Sequence, residues 1–150
     1  HNTVETAARA AIPPTQTCMN CHAAILADSA KMLPVATSYA EGTPIPWVRV
    51  HDLPDYAYFN HSAHIQRGIG CVSCHGRVDK MEVVEQIETL SMGWCLDCHR
   101  NPGPNLRPLN EVTNMAWVPN EDPTILSERL RVRYDIRSAE QLTDCSLCHR

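Results

Sequence analysis

The chain has 150 residues, with eight cysteines against eight aromatic residues and a formal charge of −4. About a fifth of it is Leu, Ile, Val or Phe, near the level at which a chain no longer buries enough apolar surface to fold unaided, so something besides aliphatic packing should hold it. The acidic balance argues against a nucleic-acid binder, and no apolar run approaches the ~18 residues of a membrane helix. No signal peptide is recognisable, and an opening on His1 rather than methionine reads as a processed chain or a fragment.

Pro13 and Pro14 precede a helix predicted from Thr17 to Met32 and closed before Pro34. Pro44 to Val50 and Tyr56 to Phe59 read as two short extended pieces separated by Leu53-Pro54-Asp55. Asn60 as cap and Gly68 as stop predict a helix of two turns carrying His61 and His64 on one face. Met81 to Leu90 fits strand and helix equally. Ser91 caps a helix to Arg100, ended by Asn101-Pro102-Gly103-Pro104. Prolines 102, 104, 108, 119 and 123 then mark a long irregular crossing in which Met115 and Trp117 give the chain something to bury. Arg129, Arg131 and Arg133 alternate with Leu130 and Val132, as on a partner-facing strand or an exposed edge. Thr143 is placed to cap a short final helix.

All eight cysteines fall in pairs with two residues between, and each pair is followed at once by histidine: Cys18/Cys21/His22, Cys71/Cys74/His75, Cys95/Cys98/His99 and Cys145/Cys148/His149. Four unrelated pairs would all precede histidine by chance with odds on the order of one in 10⁵, and CxxCH is the attachment signature of c-type heme. Two cysteines at this spacing can form thioethers to both heme vinyl groups, and the next residue then lies under the ring with its imidazole towards the iron. His22, His75, His99 and His149 are therefore proximal ligands, each expected to be oriented by a hydrogen bond from its other ring nitrogen to a carbonyl. Zinc ribbons need four ligands per ion and no histidine after every pair, and a thioredoxin-type pair needs no quadruplication.

A filled sixth position on each iron suits electron relay, whereas an open one can bind substrate. The remaining histidines, His1, His51, His61 and His64, are enough in number for four distal ligands; Met19, Met32, Met81, Met92 and Met115 are alternatives that would raise the potential. Arg49, Arg67, Arg77, Arg100 and Arg107 lie near ligands in sequence, either paired with heme propionates or merely solvated. Trp47, Trp94 and Trp117 read as heme or core packing. The expected fold is a small multiheme cytochrome over residues 1–150, a single domain of short α-helices, long irregular segments and few short strands, with its core built around stacked hemes.

The runs Ile12 to His22, Trp47 to Tyr56, Phe59 to His64 and Met92 to Arg100 closely resemble the pentaheme cytochrome c subunit of bacterial alternative complex III, related to class III multiheme cytochromes c. The resemblance spans essentially the whole chain. It implies an electron-transfer subunit with no catalytic site of its own, on the periplasmic side of the inner membrane. Its partners would be an iron–sulfur subunit, quinol-reactive integral membrane subunits, and a monoheme cytochrome c or other soluble acceptor. That family has five CxxCH motifs and an N-terminal membrane helix, against four motifs and no such helix here. By resemblance, His1 is the histidine of an incomplete first motif and the proximal ligand of a fifth heme, and His51, His61 and His64 are distal ligands. Two readings from other classes stand beside it: a periplasmic multiheme reductase with one open-site heme, and a freestanding soluble shuttle.

Overall fold

Prolines and capping side chains divide this chain into short helices joined by irregular segments. The computed structural model describes residues 3–150. Among them are eight α-helices: α1 (Thr15–His22), α2 (Leu33–Glu41), α3 (His61–Ile65), α4 (Val72–His75), α5 (Met92–Arg100), α6 (Pro123–Arg133), α7 (Ala139–Leu142) and α8 (Cys145–Cys148). Single turns of 3₁₀ helix lie at Ala30–Met32, Val78–Lys80, Gly103–Asn105 and Leu109–Glu111. No strand forms among the described residues, and an isolated antiparallel bridge joins Ile69 to Leu106.

The helical, irregular character agrees with the expectation, but several boundaries do not. The helix foreseen over Thr17 to Met32 ends at His22, and Leu26 turns the chain through a left-handed conformation at φ 58°. Pro34 does not close that helix; it occupies the first turn of α2, where its missing N–H costs nothing. The expected extended pieces at 44–50 and 56–59 lack a paired strand, so no ladder satisfies them as β-structure. Residues 81–90 are neither helix nor strand. The alternating arginines lie on α6, because Asp122 caps its first turn through Thr124 and Ile125 and Pro123 starts the helix. Asp144, not Thr143, caps α8.

The backbone packs as two compact units, Ala10–Arg49 and Thr3–Arg9 with Val50–Arg150. In the smaller, α1 packs on α2, and the buried Ser38 hydroxyl donates to the Thr43 carbonyl at 2.5 Å. In the larger, Leu106, Leu126, Leu130 and Tyr134 form the core, flanked by Ile69, Trp117 and Ile136. The Tyr134 hydroxyl accepts from the Leu109 amide at 3.1 Å. Gly68, at φ 78°, leaves room for this ring: a Cβ there would lie 2.7 Å from Tyr134 Cε2. This core sits between α6 and the prolines of the long crossing, and supports the backbone that leads into the second cysteine motif.

Leu130 is fully buried, so Leu130→Ala should cost about 2–5 kcal/mol. Val132→Ala, two residues away and 84% exposed, should stay within about 0.5 kcal/mol. Denaturant titrations of the two variants, read by circular dichroism, measure both.

Candidate functional site

Each CxxCH motif makes one tight helical turn. The first lies within α1, the third within α5, and the second and fourth are the short helices α4 and α8. Five histidine rings are fixed the same way, with Nδ1 hydrogen-bonded to a main-chain carbonyl: His22 to Ile25 at 2.9 Å, His99 to Leu142 at 2.8 Å, His149 to Tyr56 at 3.1 Å, His61 to Ala8 at 2.9 Å and His64 to Asn60 at 2.8 Å. A carbonyl can only accept, so Nδ1 carries the proton and Nε2 presents its lone pair on the far side of each ring. This is the tautomer of a metal-bound imidazole.

Helix α3 holds two of these rings. The Asn60 side chain accepts from the Ala63 amide at 3.4 Å, and the His61 amide donates to Ala8 at 3.0 Å, so residues 3–9 pin the helix start. Phe59 lies edge-on to His61 at 4.7 Å and stacks on His64 at 4.6 Å, which fixes both ring planes. Across from them, the His61 and His75 rings are parallel within 6° at 6.4 Å, and the His64 and His99 rings within 20° at 6.2 Å. Two imidazoles that bind one metal ion from opposite sides, each through Nε2 at about 2 Å, have ring centres about 6 Å apart. Both pairs have the spacing of trans axial ligands.

His51 is placed differently. Its ring meets His75 edge-on at 4.4 Å and 78°, too close for the two to share an iron from opposite faces. Its Nε2 is buried without a hydrogen-bond partner, an arrangement that suits a nitrogen reserved for a metal. His1, the expected proximal ligand of a fifth heme, lies outside the described residues.

Burial is the first cause lowering the basicity of His64 and His75. The Asn60 carbonyl partly offsets it at His64, where His99 and His61 lower it further; His51 and His61 do so at His75. Both rings are held towards the neutral, ligating form. Burial likewise raises Cys71, Cys95 and Cys98, and pushes Cys74 up to about 12 with help from Cys98, Cys95, Cys71 and Glu88. Such thiols are poor thiolates, the opposite of a thioredoxin-type redox pair. Nor do three or more His, Cys, Asp or Glu converge as a metal cage among the described residues, as a zinc ribbon would require.

The donor set therefore fits c-type heme: paired thiols, a following imidazole, a second parallel imidazole and exposed apolar side chains such as Tyr56, Ile87 and Met92 near the motifs. The arginines divide. Arg77 is paired with Asp79 at 2.7 Å, Arg100 with Asp97 at 3.3 Å, and Arg67 bonds the Tyr134 carbonyl. Arg107, unlike these three, is buried, with carbonyls for partners. The carbonyl acceptors of Ala8, Tyr56 and Leu142 carry no sequence signal, since any residue supplies a carbonyl. Phe59 has one, as the chain's sole phenylalanine, two residues before His61.

Residues 57–150 match the family described as cytochrome c7 and related cytochrome c. No curated protein matches the chain.

Asn60→Ala should remove the cap of α3 at a cost of about 1 kcal/mol, whereas Asn60→Asp should keep it. Thermal melts of the heme-loaded variants should show the alanine form melting a few degrees lower and the aspartate form unchanged.

Proposed function

The chain belongs to the family of cytochrome c7 and related cytochromes c, and from that premise we propose that it is the multiheme electron-transfer subunit of a membrane quinol-oxidising complex of the alternative complex III type. Membership of the family makes it a multiheme electron-transfer cytochrome with covalently bound c-type heme. The finer reading assigns the residues. Cys18 with Cys21, Cys71 with Cys74, Cys95 with Cys98, and Cys145 with Cys148 form the thioethers, and His22, His75, His99 and His149 are the proximal ligands. His61 is the distal ligand opposite His75, His64 is the distal ligand opposite His99, and His51 is the third distal ligand. The observation that carries this reading is the two parallel histidine pairs at 6.4 and 6.2 Å.

Each bound heme supplies a one-electron iron couple. The chain's part would be to hold the irons through imidazoles that are already oriented, His75 with His61 at the second motif and His99 with His64 at the third. Main-chain carbonyls and the Phe59 ring hold His61 and His64 in place. With two histidines for each of these irons, methionine would not be needed there and no position would be left for a substrate. This favours relay over reduction of a substrate and supports the absence of a catalytic site.

The placement in a complex rests on the resemblance of the runs around His22, His51, His61 and His99. In this reading the chain would lie on the periplasmic side of the bacterial inner membrane. An iron–sulfur subunit and quinol-reactive membrane subunits would donate electrons, and a monoheme cytochrome c or another soluble acceptor would take them.

Intact mass and a pyridine haemochrome assay of residues 1–150 should give four hemes, and Cys71→Ser with Cys74→Ser should remove one. Zinc in place of iron would overturn the heme assignment. Tagged protein should co-purify with iron–sulfur and quinol-reactive subunits; isolation as a soluble monomer would overturn the placement in a complex.

A further inference from the structure

Arg107 is the buried cation of the larger unit that the heme scaffold does not explain. Its side chain is 7% exposed, and its backbone amide is tied to the Gly68 carbonyl at 2.8 Å. Nη1 donates to the carbonyls of Asn114 at 3.1 Å and Glu111 at 3.5 Å, and the guanidinium lies over the Trp117 ring at 5.2 Å. Nε is buried with no hydrogen-bond partner. Among the described residues no carboxylate forms an ion pair with it. Burial draws the guanidinium's pKa down, and Cys71 and Glu111 are the neighbours that favour its charged form; an arginine nevertheless stays protonated.

The guanidinium is pressed against the backbone that leads into the second motif. A Cβ on Gly70 would lie 2.1 Å from Nε and 2.2 Å from Cζ, so a side chain before Cys71 would push the guanidinium out of this position. The Gly70 and Cys71 amides donate to Asn105 and Val112, which locks this segment to the loop that carries Arg107. Propionates lie on the edge of a heme opposite its thioethers, so an arginine beside Cys71 is not positioned to pair with the propionates of the heme bound there. Its effect must be exerted through the field. A reduced heme carries one more negative charge than an oxidised one, and a fixed positive charge in a poorly polarisable surrounding favours the reduced form.

We propose that Arg107 is a redox-positioning residue, a buried cation clamped behind Gly70 that raises the reduction potential of the heme attached at Cys71 and Cys74. This rests on the heme assignment above. Arg107 is the cation that acts on Cys71, while Glu5 at Cys71 and Glu88 at Cys74 act against it.

The test is a redox titration of the heme-loaded protein with each heme followed by its NMR methyl signals. In Arg107→Gln, the heme at Cys71 should shift about tenfold towards the oxidised form, a fall of about 59 mV for one electron, while the others move far less. Arg107→Lys, which keeps the charge, should retain most of the wild-type potential. An unchanged potential in Arg107→Gln at full heme content would overturn the proposal and leave Arg107 a structural residue. Should that variant fail to fold, Arg107→Met decides: a heme at Cys71 that keeps the wild-type potential in that variant overturns it. Failure of the heme assignment itself is seen separately, as an unchanged haemochrome when Cys71 and Cys74 are replaced by serine.

Discussion

The hydrogen bond from a histidine Nδ1 to a main-chain carbonyl recurs at His22, His61, His64, His99 and His149, and much of the architecture serves to supply those carbonyls. Ala8 is brought to His61 by the segment 3–9, Leu142 to His99 as the last residue of α7, and Tyr56 to His149 by an irregular stretch distant in sequence. Each bond sets a tautomer and a ring plane at once, so the same contact that orders the backbone aims Nε2. Helices α1, α3, α4, α5 and α8 carry a ligand ring or a cysteine motif, and α7 ends on the carbonyl that holds His99. The intervening backbone is left irregular, as its prolines dictate.

The apolar core is correspondingly small. Leu106, Val112, Leu126, Leu130 and Tyr134 are the buried apolar side chains, while Tyr56, Ile87, Met92 and many others remain exposed. A chain of this length ordinarily buries much more. Covalent heme reconciles the two facts, since the thioethers attach large apolar rings to a chain that is poor in them. The protein core then has a narrower role. It braces the crossing from Leu106 to Trp117 against α6, and through Gly68, Gly70 and Arg107 it positions the second motif.

Much of this is legible in the sequence because the signals are local. The cysteine pairs with their histidines, Asn60 as a helix cap, and Ser91 with the helix to Arg100 are patterns within a few residues, and the structure contains each of the helices they announce. What sequence does not supply is tertiary. The pairing of His61 with His75 and of His64 with His99 depends on how helices pack, not on spacing. The carbonyl acceptors have no side-chain signature. The alternating arginines suggest an edge strand because alternation is a strand pattern; the Asp122 cap and Pro123 favour a helix there instead, and no strand lies near to pair. Pro34 misleads for a related reason, since proline can open a helix as well as end one. In sequence Arg107 is one of several arginines near ligands, and only its burial sets it apart.

The central claim is that histidine fills both axial positions of the irons held by the second and third motifs. Electron paramagnetic resonance of the fully oxidised, heme-loaded protein examines it most directly. The account predicts low-spin ferric signals from those irons, with His64→Ala and His61→Ala each converting one of them to high spin. A stoichiometric high-spin heme at either motif in the wild type, binding cyanide or nitrite, would contradict it.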